Sequence, residues 1–174
     1  MLKIVNILSN KTEASLSLPT VAVTNFRSLE KKINNVKIDM IEREISVLMC
    51  SETWQKDSNK RLKDSIDKLL EEDGLKFISC PRPSNKRGGG CAVIVDTKKF
   101  TVEKLQVLVP HKLEVVWCLV RPKEVVKTTI FKEIVVVSFY SPPNYRKNNQ
   151  LIQHLIDQMH LLLVKYPRAG FLCG

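Results

Sequence analysis

Two polar side chains stand at the ends of two predicted strands. Glu52 ends the apolar segment 46–51, and Asn25 follows the apolar segment 20–24. Apolar residues recur at helical spacing between them, so the pattern predicts a strand–helix–strand unit that brings both side chains to one edge of a sheet. A carboxylate and a carboxamide supply oxygen ligands, which suit a hard cation such as Mg²⁺. The alternative is an ordinary solvated glutamate at the end of a strand.

A third candidate is Tyr140, which lies at the end of the predicted strand 134–139. A phenol at that position could orient or hydrogen-bond a phosphate oxygen. It could equally be a core aromatic residue whose hydroxyl reaches the edge of the sheet.

Basic residues flank two predicted turns and are candidates for contacts with nucleic-acid phosphates. They are Arg82, Lys86, Arg87, Arg146 and Lys147. Three glycines follow the first group at 88–90, but the segment is no phosphate-binding P-loop, because it lacks the following Lys-Ser/Thr and precedes a strand instead of a helix. A tight hairpin turn is the better interpretation of these glycines.

The remaining pattern predicts an α/β domain over residues 20–174, preceded by a lead-in segment, 1–19, that holds a short edge strand at 3–8. Further strands are predicted at 75–80, 91–95, 115–120, 134–140 and from 169 onward. Amphipathic helices are predicted from 29 to 45, from 59 to 72 and from about 148 to 165.

Composition constrains the class of protein and its partners. The 174 residues are 44% hydrophobic, with 28 Lys and Arg against 18 Asp and Glu, a net charge of +10. Such an excess favours a polyanionic partner, nucleic acid or an anionic lipid surface, although a solvated basic surface without a partner has the same composition. Five scattered cysteines indicate buried reduced thiols, and no signal peptide or membrane-spanning run is visible, so an intracellular protein, nuclear or cytoplasmic, is expected.

Four segments, in this order, resemble the endonuclease/exonuclease/phosphatase superfamily. They are NFRSL at 25–29, SETW at 51–54, RGGGCAV at 87–93 and FYSPP at 139–143. Within the superfamily, the ETW and RGGG signatures are most similar to the endonuclease domain of non-LTR (LINE-type) retrotransposon polyproteins. The likeness runs from about Val21 to Gly174.

This resemblance implies a fold and a chemistry. The fold is a four-layer, DNase I-like α/β sandwich, with two mixed β-sheets face to face and helices outside. The chemistry is hydrolysis of a DNA phosphodiester with Mg²⁺, or Mn²⁺ in its place, which leaves a 3′-hydroxyl that primes reverse transcription. By position, Glu52 matches the metal-ligating glutamate, Asn25 the asparagine beside it, and Tyr140 the tyrosine that contacts the scissile phosphate.

The sequence departs from the family pattern in its last part. The Asp-x-Asn motif that should follow the strand from 169, a later Asp and a final Asp-His pair are not among residues 1–174. We therefore expect a domain truncated before its C-terminal part, inactive by itself, with an exposed sheet edge that favours self-association. Two alternatives are a non-catalytic nucleic-acid- or protein-binding remnant, and a phosphoesterase that acts on a small or lipid phosphate.

Overall fold

The computed structural model of the protein describes residues 3–5, 19–56, 58–82, 88–124, 132–142 and 145–174, with 3–5 and 145–147 described by their backbone alone. These residues form nine strands and three α-helices. The strands are β1 Lys3–Val5, β2 Val21–Asn25, β3 Val47–Ser51, β4 Leu75–Cys80, β5 Cys91–Asp96, β6 Phe100–Lys104, β7 Glu114–Pro122, β8 Ile134–Tyr140 and β9 Gly170–Cys173. The helices are α1 Ile33–Glu42, α2 Lys60–Glu71 and α3 Tyr145–Lys165.

The strands form two mixed sheets. The first has five strands in the order β1-β2-β3-β5-β4, and the second has four in the order β6-β7-β8-β9. Strands β2 and β3 are parallel, with Asn25 opposite Ser51, which confirms the predicted strand–helix–strand unit. Strands β8 and β9 are also parallel, and the other neighbours are antiparallel.

Three apolar clusters hold the layers together. Alternate side chains of a strand point to opposite faces, so Leu48 packs with α1 and α2 while Val47 and Met49 pack between the sheets. On the far side of the second sheet, Trp117 belongs to a cluster with the apolar face of α3, including Leu155. The layers are helix, sheet, sheet and helix, which confirms the four-layer α/β sandwich that the family resemblance implied.

The boundaries of several elements differ from the prediction. The first helix begins as a 3-10 turn at Glu30–Lys32, and α3 begins three residues earlier than predicted. Strand β6 was not predicted, because on this edge strand only Phe100 is buried and the pattern contains no continuous apolar run. Helix α2 begins where expected, since the Asn59 side chain caps it by accepting a hydrogen bond from the Leu62 N–H at 3.1 Å.

The expectation of five buried thiols is wrong for two cysteines. Cys50, Cys91 and Cys118 are buried, but Cys80 is half-buried and Cys173 is exposed; all five are free. Cys173 is exposed because it belongs to β9, an edge strand of the second sheet. Among the described residues no helix is long and apolar enough to cross a membrane.

Candidate functional site

The chain makes a sharp turn directly after β3, and this turn presents Glu52. Glu52 and Trp54 both have left-handed backbone conformations, with φ of 56° and 58°. Such conformations cost about 1–3 kcal/mol each in residues other than glycine and persist only where neighbouring structure imposes them. Here the Glu52 carbonyl accepts from the Ser28 N–H at 2.9 Å, and the Trp54 N–H donates to the Gly89 carbonyl at 2.9 Å. The turn is therefore held on both sides.

The Glu52 carboxylate is the centre of a hydrogen-bond network. Its Oε2 accepts from the Trp54 indole Nε1 at 2.5 Å and from the Gly89 N–H at 3.3 Å. Burial raises the pKa of Glu52, but the hydrogen bonds from Trp54, Tyr140 and Gly89 and the positive charge of Arg82 outweigh burial, so the pKa lies below its usual value. The carboxylate is thus held in its ionised form.

Tyr140 comes to the same place from the second sheet. It is the last residue of β8 and its phenol hydrogen-bonds Glu52. Burial, the hydrogen bond to Glu52 and the negative charge of that carboxylate raise the pKa of Tyr140 to about 12. The Arg82 guanidinium lies 5.7 Å from the centre of the Tyr140 ring, a cation–π distance. The phenol consequently stays protonated and remains a hydrogen-bond donor.

A nearly buried ion pair supports this network, and the sequence did not indicate it. Arg82 Nε lies 3.1 Å from Glu114 Oε1, with the two side chains 17% and 8% exposed. Glu114 begins β7 and also accepts a hydrogen bond from the Gly90 N–H. The sequence feature that could have indicated this ion pair is an acidic residue directly before a long apolar strand. A carboxylate at such a position must have a charged or hydrogen-bonding partner or be exposed to water.

The glycine segment 88–90 packs closely against this ion pair; the rest of the predicted turn, 83–87, lies outside the described residues. Gly88, Gly89 and Gly90 have φ of 92°, 74° and 80°. A Cβ on Gly89 would stand 2.4 Å from Glu114 Oε2 and 3.0 Å from Arg82 Nε. Only glycine allows the backbone to approach these side chains so closely.

The structure brings Glu52, Tyr140 and Arg82 together and places Asn25 on the neighbouring strand end. Asn25 is the last residue of β2, its side chain is exposed, and it pairs with Ser51. Lys86 and Arg87 lie outside the described residues.

Arg146 and Lys147 lie in the first turn of α3, where only the backbone is described. Of the predicted basic residues, Arg82 is therefore the one whose side chain is placed.

The histidines lie elsewhere or have partners of their own. His154 on α3 is buried, and its Nε2 accepts from the Trp117 indole Nε1 at 3.4 Å, so its hydrogen-bonding requirement is met inside the core. Burial lowers the pKa of His154 and favours its neutral form. Within the described part of the chain, no group of three His, Cys, Asp or Glu side chains could hold a metal ion.

Oxygen ligands for a hard cation are nonetheless available at Glu52. A carboxylate offers about four lone-pair positions, and two of the observed hydrogen bonds converge on Oε2 alone. Mg²⁺ commonly takes one or two carboxylates and completes its shell with waters and substrate phosphates. The chemistry of Glu52 and Asn25 therefore fits such an ion.

No protein-family model and no curated protein matches the sequence. Solved structures do match. The endonuclease domain of TRAS1, a telomere-specific non-LTR retrotransposon, is 16% identical, with 87% of this chain and 57% of that one covered and a TM-score of 0.53. The human nocturnin catalytic domain with bound sulfate is 12% identical, over 95% and 68%, with a TM-score of 0.59. The 3′–5′ exonuclease NExo from Neisseria meningitidis is 11% identical, over 88% and 56%, with a TM-score of 0.58.

The likeness to these proteins is one of fold. It extends over nearly all of this chain, which spans a little over half of the TRAS1 and NExo chains and about two thirds of nocturnin.

Proposed function

We propose that this chain, which has the fold of the endonuclease/exonuclease/phosphatase superfamily, carries part of a Mg²⁺-dependent site for hydrolysis of DNA phosphodiesters, of the retrotransposon endonuclease kind. The observation that carries this proposal is the Glu52 carboxylate, kept ionised at the edge of the sheets by hydrogen bonds from Trp54, Gly89 and Tyr140. An ordinary solvated glutamate at the end of a strand would have water in place of these three donors.

The protein groups have distinct roles in this proposal. Glu52 and Asn25 would hold Mg²⁺, for which Mn²⁺ could substitute, and the bound ion would neutralise charge that develops on the phosphate during attack by water. When substrate binds, Tyr140 would turn its phenolic O–H from Glu52 to a phosphate oxygen, and its raised pKa keeps this hydrogen-bond donor protonated at neutral pH. Arg82 orients the Tyr140 ring and adds positive charge beside Glu52.

DNA is the substrate that the charge and the structural neighbours favour. The net charge of +10 suits a polyanion. Among the neighbours, one is the endonuclease domain of the retrotransposon TRAS1, and NExo was solved with a product DNA hairpin. A duplex that binds with a steep salt dependence would support this choice. Binding of a soluble inositol phosphate in preference to DNA would overturn it in favour of the phosphoesterase alternative.

Paramagnetic broadening by Mn²⁺ tests the ion site directly. In an NMR titration we expect Mn²⁺ to broaden the Gly89 amide and the Trp54 indole first, and excess Mg²⁺ to restore both signals. Glu52→Gln should abolish the effect. Glu103→Gln is the matched control, because that glutamate lies on an exposed strand and pairs with Arg121. Equal broadening in the Glu52→Gln protein would refute the proposed site.

Turnover is tested by nicking of a supercoiled plasmid in Mg²⁺, with Glu52→Gln and EDTA as controls. We expect no nicking by this chain, because no histidine is among the groups that contact Glu52 in the described part of the chain, so none is placed to act as the base. Nicking that requires both the metal and Glu52 would show this expectation of inactivity to be wrong while supporting the proposed site. Nicking by Glu52→Gln at the unmutated rate would count against Glu52.

A further inference from the structure

A basic pocket of about 380 Å³ lies beside the candidate site, and we call it the Gln55 pocket. The start of α2, the segment after Trp54 and the ends of β4 and β6 form its walls. Four lysines line it with a single acid: Lys56, Lys60, Lys63 and Lys104 with Asp64. An excess of three positive charges around one cavity favours an anionic ligand.

Two buried polar side chains in the wall of this pocket have no partner. Gln55 is 4% exposed and Ser79 is 7% exposed. Among the described residues, neither the Gln55 amide oxygen and nitrogen nor the Ser79 hydroxyl makes a hydrogen bond. Leaving a buried polar group unsatisfied is unfavourable, and an ordered water or a bound ion is one way in which such a group finds a partner. The Gln55 NH₂ and the Ser79 hydroxyl can both donate to an oxyanion.

The pocket also receives the N-terminus of α2. Asn59 caps this twelve-residue helix, and no acidic residue stands in its first turn. Asn59, Lys60 and Lys63 line the pocket, so the N-terminal end of the helix, with its positive dipole, faces the cavity. Helix dipole, lysines and buried donors together are the elements of a phosphate site.

One segment of backbone links the Gln55 pocket to Glu52. Gln55 is three residues beyond Glu52, and its carbonyl accepts a hydrogen bond from the Arg82 N–H at 3.1 Å. Lys56 forms an isolated bridge with Arg82. Arg82 therefore contacts the pocket wall through its backbone and the Glu52 network through its guanidinium.

We propose that the Gln55 pocket is a second phosphate-binding site, which holds a backbone phosphate of the nucleic-acid strand whose neighbouring phosphate lies at Glu52. That the ligand is a nucleic-acid strand rests on the proposed function. That the pocket binds a phosphate is argued independently, from the side chains that line it. Gln55 and Ser79 donate hydrogen bonds to the phosphate, and Lys63 and Lys104 supply charge.

The first test uses inorganic phosphate on the metal-free Glu52→Gln protein, so that neither cleavage nor an ion at Glu52 contributes. In an NMR titration we expect saturable shifts of the Gln55 side-chain amide. Lys63→Gln/Lys104→Gln should weaken this binding several-fold. Lys68→Gln is the matched control, an exposed lysine on the same helix that does not line the pocket. Shifts that never saturate, or equal loss in the control, would overturn the proposal.

A second test measures binding of a short DNA duplex by fluorescence anisotropy at several salt concentrations. Loss of one phosphate contact in Lys63→Gln/Lys104→Gln should reduce the slope of log K against log salt by about 0.9. Ser79→Ala should weaken binding without lowering the melting temperature, because the alanine removes an unpaired hydroxyl from the core. An unchanged slope together with tighter binding to anionic vesicles would refute nucleic acid as the ligand.

These tests separate the two proposals. Phosphate binding at the Gln55 pocket without Mn²⁺ broadening at Glu52 would support the second phosphate site and refute the metal site. Mn²⁺ broadening at Glu52 without a phosphate-induced shift of Gln55 would support the metal site and refute the second phosphate site.

Discussion

Breaking the ion pair between Arg82 and Glu114 should destabilise the protein far more than breaking an exposed pair of the same chemistry. Removing one partner of a buried pair leaves the other charge without compensation, at a cost of about 3–5 kcal/mol. The Glu114 side chain is 8% exposed, so Arg82→Gln leaves its carboxylate facing the Gly90 N–H in a nearly dry environment.

The expected magnitudes follow from the exposure of each partner. For Arg82→Gln we expect a loss of about 3 kcal/mol in the free energy of unfolding, or roughly 6–12 °C in melting temperature for a chain of this size. Glu114→Gln should cost about 2 kcal/mol, because Arg82 is 17% exposed and retains the Tyr140 ring and the charge of Glu52. The double variant should be no worse than the worse single variant, a coupling of about 2 kcal/mol.

Urea denaturation of the two single variants and the double variant measures this coupling. The internal control is Arg121→Gln: the Arg121 side chain is 41% exposed and pairs with Glu133 and Glu103. An exposed pair contributes about 0–1 kcal/mol. If the costs of Arg82→Gln and Glu114→Gln simply add, or if Arg121→Gln costs as much as Arg82→Gln, the argument from burial is wrong.

Three further predictions concern the same region. Gly89→Ala should lower stability by more than ~1 kcal/mol, because residue 89 has a positive φ and its Cβ would stand 2.4 Å from a carboxylate oxygen. Gly88→Ala should cost less, because the atom nearest to its Cβ would be 3.4 Å away. Equal unfolding midpoints for the two variants would contradict this. A hydrogen bond from the Cys91 thiol is the main reason why the pKa of Cys80 is lowered to about 7. Alkylation of Cys80, followed by mass spectrometry, should therefore be half-maximal near that pH, and at a higher pH in Cys91→Ala. The same pH profile in both proteins would rule out this cause. The pKa of Glu52 lies below its usual 4.5, so ionised Glu52 stabilises the fold above that pH. In urea titrations, the stability of the unmutated protein relative to Glu52→Gln should decrease as the pH falls through the lowered pKa. A stability difference that stays constant between pH 7 and 3 would disprove this.

The sequence predicted those parts of the site that depend on local pattern. Glu52 and Asn25 were found because each ends an apolar run, and parallel pairing of β2 and β3 then places Asn25 opposite Ser51, the residue before Glu52. The glycines at 88–90 indicated a turn because glycine alone tolerates positive φ at little cost. The strand–helix order was likewise readable from periodicity.

The remaining contacts could not be predicted because they join residues distant in the chain. Arg82 and Glu114 meet only when the first and second sheets pack face to face, and no periodicity reports that packing. Trp54 resembles a core aromatic in the sequence, yet its indole donates to Glu52. The burial of Gln55 is equally invisible, since it follows a strand in a segment without a repeating pattern.

The geometry of the site therefore depends on how the two sheets are aligned. One buried hydrogen bond between β3 and β8, close to the site, holds the sheets in this alignment. The Ser138 hydroxyl, fully buried on β8, donates to the Cys50 carbonyl on β3 at 3.0 Å. Ser138 is two residues before Tyr140, and Cys50 is two residues before Glu52. From this hydrogen bond, two further residues of β8 lead to the phenol, and the end of β3 with the turn behind it leads to the carboxylate. The pKa shifts of Glu52 and Tyr140 are thus consequences of sheet packing, because the hydrogen bond that couples them exists only while the two strands stay in this register.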